Sequence, residues 1–275
     1  ADGTLALPES LIRAARHSLD HHRVDGLIVL GGDGSLRTAL QLSKSGINII
    51  GVPKTIDNDI DATDVTFGFD TAVSRVAEAV TNLRSTAESH RRILILEVMG
   101  RHTGWLALHG AIAGGADIAL IPEVPLDSER LTQFIKKSER EGHRSLVMVI
   151  AEGTRAKSGN QIRQKTSAGD SRLGGVGHHL ESLVARCTGR ETRCTVLGHL
   201  QRGGTPGAFD RILGQQFGVH AVALAADGKY GRMVSYRSGE VTEVALADAV
   251  NHRRNITPQS QILGHARALG IFLGN

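Results

Sequence analysis

Leu27-Ile28-Val29-Leu30-Gly31-Gly32-Asp33-Gly34-Ser35 sets the fold. Four consecutive apolar residues bounded by a charge and by glycines read as a short buried strand. Gly31 and Gly32 then turn the chain into a helix that opens through Leu36. Glycines at such a turn let backbone N–H groups approach phosphate oxygens, and a helix N-terminus adds favourable partial charge. Asp33 has two readings at this point: a hard carboxylate suited to Mg²⁺ between phosphates, or a helix cap in a tight turn.

The same alternation extends in both directions. Apolar runs at 47–52, 93–98, 118–121, 146–151 and 194–197 each end at glycine or proline and read as strands buried on both faces. Amphipathic stretches separate them. Residues 8–23 carry Leu11, Ile12, Ala15 and Leu19 on one helical face, and 71–89 carry Ala72, Val76, Ala79, Val80 and Leu83. Residues 127–141 repeat apolar positions at Leu131, Phe134 and Ile135, and 210–226 form a long apolar-periodic helix. A βαβα order of this kind predicts an α/β fold with open, mostly parallel sheets and helices on both faces. Ligands then bind beyond the carboxyl ends of the strands. The polar, glycine-containing stretch 155–177 reads as an exposed excursion, and a boundary is expected near Gly68-Phe69.

Composition removes several function classes. The 33 glycines in 275 residues have no fixed period, so collagen-like and solenoid architectures fail. A net charge of +4 that is dispersed, with 3% aromatics, does not describe a nucleic-acid binder. No apolar run is long enough for a membrane span. Two cysteines, Cys187 and Cys194, without metal spacing, point to a reduced, cytoplasmic protein. No Gly-x-Gly-x-x-Gly follows a strand, and neither a Walker A lysine motif nor His-Glu-x-x-His occurs, which argues against dehydrogenases and zinc hydrolases.

The second informative loop is Pro53-Lys54-Thr55-Ile56-Asp57-Asn58-Asp59. Two carboxylates at i and i+2 repel each other and bury nothing. One can bind Mg²⁺ while the other accepts a proton from a hydroxyl, or the stretch is an Asx-rich turn.

These two loops, together with residues 67–72, Glu97-Val98-Met99-Gly100-Arg101-His102, Ala151-Glu152-Gly153, Gly189-Arg190-Glu191-Thr192-Arg193 and 197–204, closely resemble the 6-phosphofructokinases in content and order. The motifs span roughly residues 30 to 211. The resemblance implies two Rossmann-like three-layer αβα domains. The nucleotide-binding domain takes 1–68 plus 201–251, and the sugar-phosphate-binding domain 69–200 plus 252–275. It implies the glycolytic transfer of a phosphoryl group to the C1 hydroxyl of fructose 6-phosphate, with ATP as donor and Mg²⁺.

Residue roles follow from the resemblance. Asp57 matches the base; Thr55 and Asp59 match sugar-loop residues, Asp59 also near the metal. Asp33 matches the metal-associated carboxylate, in a nucleotide loop of Gly32, Asp33, Gly34 and Ser35. Arg92, Arg101, Arg193, His199 and Arg202 match the sugar-phosphate site, where guanidinium forks suit a phosphate. Met99, Gly100 and Glu152 match sugar contacts, and Arg101 also suits the transferred phosphoryl group. Arg92 and Arg193 serve a neighbouring subunit in the family, which implies a homodimer or homotetramer. Arg84 and Glu123 fall near effector positions of regulated relatives, or are a surface arginine and a strand-end glutamate.

Gly34 is the ATP-type residue, because pyrophosphate users carry an aspartate there. Lys54 occurs in pyrophosphate users and in a mixed subgroup, which keeps a pyrophosphate-dependent enzyme as the alternative. The family's opening strand and Gly-Gly-Asp-x-Pro-Gly loop have no counterpart. The first domain is therefore expected to be truncated by on the order of 60 to 70 residues, with a catalytically impaired or regulatory subunit as a further alternative.

Overall fold

The apolar run that opens the first motif folds as strand β1 (Leu27–Gly31), between helices α1 (Glu9–His21) and α2 (Asp33–Lys44). The structure, a computed structural model, describes residues 6–156, 158, 164–165, 171–172 and 175–275. Next come β2 (Ile49–Pro53), α3 (Phe69–His90), β3 (Ile93–Val98), α4 (Trp105–Gly114), β4 (Ile118–Leu120), α5 (Ser128–Arg140) and β5 (Leu146–Ala151). The two-residue strands β6 (Gln164–Lys165) and β7 (Ser171–Arg172) precede α6 (Val176–Thr188), β8 (Thr192–Val196) and a 3₁₀ turn over Gly198–Arg202. The chain closes with α7 (Ala208–Ala226), β9 (Arg232–Arg237), β10 (Glu240–Ala245), α8 (Leu246–Asn251) and α9 (Gln261–Ala268).

Two compact units result. The first comprises Ala1–Phe69 and Pro206–Arg254, the second Asp70–Thr205 and Asn255–Asn275. In the first, the sheet order is β1-β2-β9-β10, parallel except for the β9–β10 hairpin. Successive side chains of a strand point to opposite faces, and each face has its own core. Ile49 and Met233 pack with Leu36 and Ala39 of α2 and Leu246 and Ala249 of α8. Ile50, Val52 and Val234 pack with Leu213, Phe217 and Ala221 of α7. The sheet is thus the middle of three layers.

In the second unit the order is β4-β5-β3-β8, all parallel. β3, β4 and β5 are buried along their whole length. On one face Ile93, Ile95, Met148 and Ile150 meet Leu131 and Ile135 of α5 and Leu180 and Val184 of α6. α4 packs against β4 and β5. Asp127 caps α5 by accepting from the N–H groups of Glu129 and Arg130. The start of α6 is capped from the sheet: the Glu97 carboxylate accepts from Gly175 N at 3.0 Å and Gly177 N at 2.8 Å.

The strand expectations need correcting at the sheet edges. β1 and β8 are not buried on both faces: Ile28 is 37% exposed, Leu30 56% and Val196 49%. Both strands are outermost in their sheets, so no strand among the described residues pairs beyond them. The run at 47–52 becomes strand only from Ile49, and that at 194–197 begins earlier, at Thr192. Of the stretch 155–177, residues 157, 159–163, 166–170 and 173–174 lie outside the described residues. Among the described residues, no helix is long and apolar enough to cross a membrane.

Candidate functional site

In the first unit the acidic residues collect at the carboxyl ends of β1 and β2. Asp33 is the first residue of α2. The backbone N–H of Lys54 donates to Gly31 O at 2.9 Å, so the loops that leave the two strands are tied together. The second loop is held from within. Thr55 Oγ1 accepts from Asp57 N at 3.1 Å, a local turn that sets the direction of the Asp57 backbone. Asn58 is buried with φ +51°, and its Oδ1 accepts from Thr66 N at 3.0 Å. That left-handed residue sits between the two carboxylates and separates them.

The charges of this cluster are unevenly satisfied. Arg37 Nε lies 2.7 Å from Asp33 Oδ1. Arg253 approaches two carboxylates: its Nη2 is 3.7 Å from Asp33 Oδ2 and its Nε 3.8 Å from Asp59 Oδ2. Asp59 Oδ1 is buried and has no hydrogen-bond partner among the described residues. Burial, followed by the negative charges of Asp57 and Asp33, pushes the Asp59 carboxyl up to about 6, with Arg253 acting in the opposite direction. No group of three or more His, Cys, Asp or Glu side chains among the described residues is arranged to hold an ion by itself. An unsatisfied carboxylate oxygen beside a second carboxylate instead suits a hard dication held largely by water and phosphate, as Mg²⁺ is. Asp33 and Asp59 are the residues that fit it.

The second unit carries Arg92, Arg101, Arg193 and Arg202, the arginines expected to bind the sugar phosphate. Met99, Gly100 and Arg101 follow β3, Glu152 follows β5, and His199 and Arg202 follow β8, so all lie at carboxyl ends of parallel strands. Glu152 Oε1 accepts from Arg101 N at 3.1 Å. Arg202 Nε lies 3.4 Å from Met99 Sδ. Arg101 has φ +49°, uncommon for a residue with a side chain. Gly100 before it has φ +140°, and a Cβ there would stand 2.6 Å from Thr103 O. Gly153 is the other close approach: a Cβ there would lie 1.8 Å from Arg101 O. Replacing Gly153 by alanine should therefore displace the 99–104 turn and destabilise the protein by about 1–3 kcal/mol. Thermal unfolding and faster amide exchange at 99–104 measure this; native exchange there at unchanged stability would refute it.

Arg92 and Arg193 are elsewhere. They sit at the amino-terminal side of β3 and β8, separated from Arg101 by the length of a six-residue strand, roughly 20 Å. Both engage Glu191, through Arg92 Nε–Oε2 at 2.9 Å and Arg193 Nη2–Oε1 at 2.8 Å. Glu191 is exposed, and its carboxyl is held low first by the adjoining Arg92 guanidinium. The structure thus brings Met99, Gly100, Arg101, Glu152 and Arg202 together and leaves Arg92 and Arg193 as a separate pair. Reading the sequence missed Glu191 and Arg253. Glu191 stands inside a quoted motif, so its spacing of two from Arg193 was a usable signal; Arg253 is far from any motif. Arg84 pairs with Asp117 at 2.8 Å, while Glu123 accepts from the backbones of Gly104 and Ile256 and burial raises its carboxyl.

Two α/β units, with carboxylates on the strand-end loops of one and guanidinium groups on those of the other, have the make-up of a protein that handles phosphorylated ligands and a divalent ion. The phosphofructokinase family model matches residues 5–225. The chain is 44% identical over 271 residues to an ATP-dependent 6-phosphofructokinase of Chloroflexus aurantiacus, covering 98% of this chain and 75% of that one. It is also 44% identical over 254 residues to a pyrophosphate–fructose 6-phosphate 1-phosphotransferase of Amycolatopsis methanolica, covering 91% and 74%. Among solved structures, Pichia pastoris phosphofructokinase superposes with a TM-score of 0.76 at 30% identity, covering 94% of this chain and 28% of that one. The chain belongs to the phosphofructokinase family.

Proposed function

We propose that this protein transfers the terminal phosphoryl group of ATP to the C1 hydroxyl of D-fructose 6-phosphate, giving fructose 1,6-bisphosphate and ADP. The observation that carries the reading is the Asp57-Asn58-Asp59 loop at the end of β2. Its two carboxylates are separated by a buried left-handed residue and tied to the strand end that bears Asp33. The relatives named as 6-phosphofructokinases support the same substrate.

Asp57 accepts the proton of the C1 hydroxyl. In a loose transition state the alcohol need not ionise first, so a carboxylate of ordinary basicity suffices when the proton leaves late. Thr55 orients Asp57 through the bond to its backbone N–H. Asp33 and Asp59 would hold Mg²⁺, which would supply neutralisation of the phosphate charge. Arg101 stabilises charge on the transferred phosphoryl group. Arg202 and His199 hold the 6-phosphate, while Met99, Gly100 and Glu152 position the sugar. Arg92 and Arg193, apart from Arg101, serve a neighbouring copy in a homodimer or homotetramer.

Gly34 supports ATP as donor. It is exposed, its φ lies outside the left-handed range, and a Cβ there would meet nothing within 4 Å. The fold does not require glycine at this position, which leaves room for a nucleotide beside the α2 N-terminus. Gly34→Asp places an acidic residue in the first turn of α2, where the helix dipole favours it. Stability should hold, while kcat/KM for ATP falls by at least about tenfold through repulsion of the nucleotide phosphates. Unchanged ATP use in this variant would sink the donor assignment.

A pyrophosphate-dependent reaction is the second reading, favoured by Lys54 and by the equal identity to the Amycolatopsis relative. A coupled assay for fructose 1,6-bisphosphate, run with ATP and then with pyrophosphate, separates the two. Turnover with neither donor counts against both.

A further inference from the structure

Arg253 lies far in sequence from every motif, yet its main chain is anchored to the end of the acidic loop. Its backbone pairs with Ile60 in an antiparallel bridge, and Arg254 N donates to Asp59 O at 3.0 Å. The guanidinium is thereby carried to the two carboxylates by a fixed stretch of main chain. Its side chain is 20% exposed, against 22% for Asp33 and 11% for Asp59.

Its distances distinguish it from Arg37. Arg37 makes a hydrogen-bonded ion pair of 2.7 Å with one oxygen of Asp33. Arg253 stands 3.7 Å from the other oxygen of Asp33 and 3.8 Å from Asp59 Oδ2, beyond the 2.7–2.9 Å typical of a charge-assisted bond. It therefore attracts these two oxygens by charge without occupying them through hydrogen bonds. One fixed cation spans carboxylates from two different strand ends, which would otherwise repel each other. One of those carboxylates keeps a buried oxygen, Asp59 Oδ1, without a hydrogen-bond partner among the described residues.

We propose that Arg253 is a resident counter-ion of the Asp33–Asp59 pair, a positioning residue that holds the two carboxylates together and sets their affinity for a divalent ion. This rests on the assignment of Asp33 and Asp59 as the metal's partners. A dication entering between the carboxylates must compete with a positive charge already there. Occupation of the site is thus tuned toward ions that arrive with phosphate, whose oxygens supply the missing attraction. A bare ion meets the repulsion uncompensated.

The test measures Mn²⁺ alone, by electron paramagnetic resonance of the free ion, on the full chain without nucleotide or sugar phosphate. Arg253→Met removes the charge at similar length and should tighten Mn²⁺ binding on the order of tenfold. It should also lower the ion-free melting temperature, with the loss recovered as Mn²⁺ is added. Arg253→Lys keeps a charge and should stay within about threefold of the parent. Adding Asp33→Asn to Arg253→Met should erase the gain. A purely structural role predicts a lower melting temperature with Mn²⁺ affinity unmoved. That result, or tighter binding that survives Asp33→Asn, overturns the proposal. Because no turnover is measured, failure here leaves the phosphoryl-transfer reading intact.

Discussion

Asp57→Ser should lower kcat by about a thousandfold, within the 10²–10⁴ range that a positioned general base contributes. Binding of fructose 6-phosphate should change by no more than about threefold, because Arg202, proposed to hold its phosphate, is on the other unit. The loop should survive the substitution. Its shape depends on Thr55 Oγ1 accepting the backbone N–H of residue 57, on Asn58 bonding Thr66, and on Thr66 Oγ1 donating to Thr55 O at 2.7 Å. None of these contacts uses the Asp57 side chain. Steady-state kinetics with calorimetry of sugar-phosphate binding separates the two quantities. A variant with near-parental kcat would remove Asp57 from the mechanism, and joint loss of binding and fold would make it a structural residue.

Asp59→Asn should make the protein more stable and less active. Folding raises the Asp59 carboxyl from 3.8 to about 6, chiefly by burial. The folded state then binds more protons than the unfolded state between those two values, so stability falls as pH rises through this window. Above pH 6 the ionised, buried carboxylate costs up to about 3 kcal/mol, taking about two units at 1.36 kcal/mol each. An amide of the same shape has no such cost, although Arg253 loses one of its charge partners. At pH 8 the melting temperature should rise by roughly 5–10 °C. At pH 4 the acid is protonated and the advantage should largely vanish. Thermal unfolding at both values checks this, and an equal gain at both, or a loss at pH 8, contradicts it. A side chain that weakens the fold at working pH yet occupies a strand-end loop is the signature of a functional site.

Much of the architecture was legible along the chain. Bounded apolar runs located β1, β2, β3, β4, β5 and β8, and 3.6-residue spacing located α1, α3, α5 and α7, because burial imposes those periods directly. Other elements escaped for definable reasons. α4 is apolar nearly all round, so no amphipathic stripe marks it. β9 and β10 are interrupted by polar and charged residues, Arg232, Ser235 and Arg237 in the one and Glu240, Thr242 and Glu243 in the other, unlike the continuous apolar runs of β2, β3 and β5. Edge exposure of Leu30 and Val196 was invisible because β1 and β8 read like the buried strands around them; position in a sheet is a property of pairing, not of composition.

By itself, the sequence determined the alternating α/β class, the family, and which loops carry carboxylates and which carry arginines. These follow from local patterns, since a glycine turn, a pair of aspartates or a Gly-Arg stretch is complete within a few residues. Tertiary structure alone decided that Arg92 and Arg193 share Glu191 at the opposite end of their strands from Arg101, and that Arg253 stands between Asp33 and Asp59. Both depend on register and on a chain that returns to the β2 loop nearly two hundred residues later. Long-range contacts of that kind are made by strand pairing and helix packing, and they leave no local trace in the order of the residues.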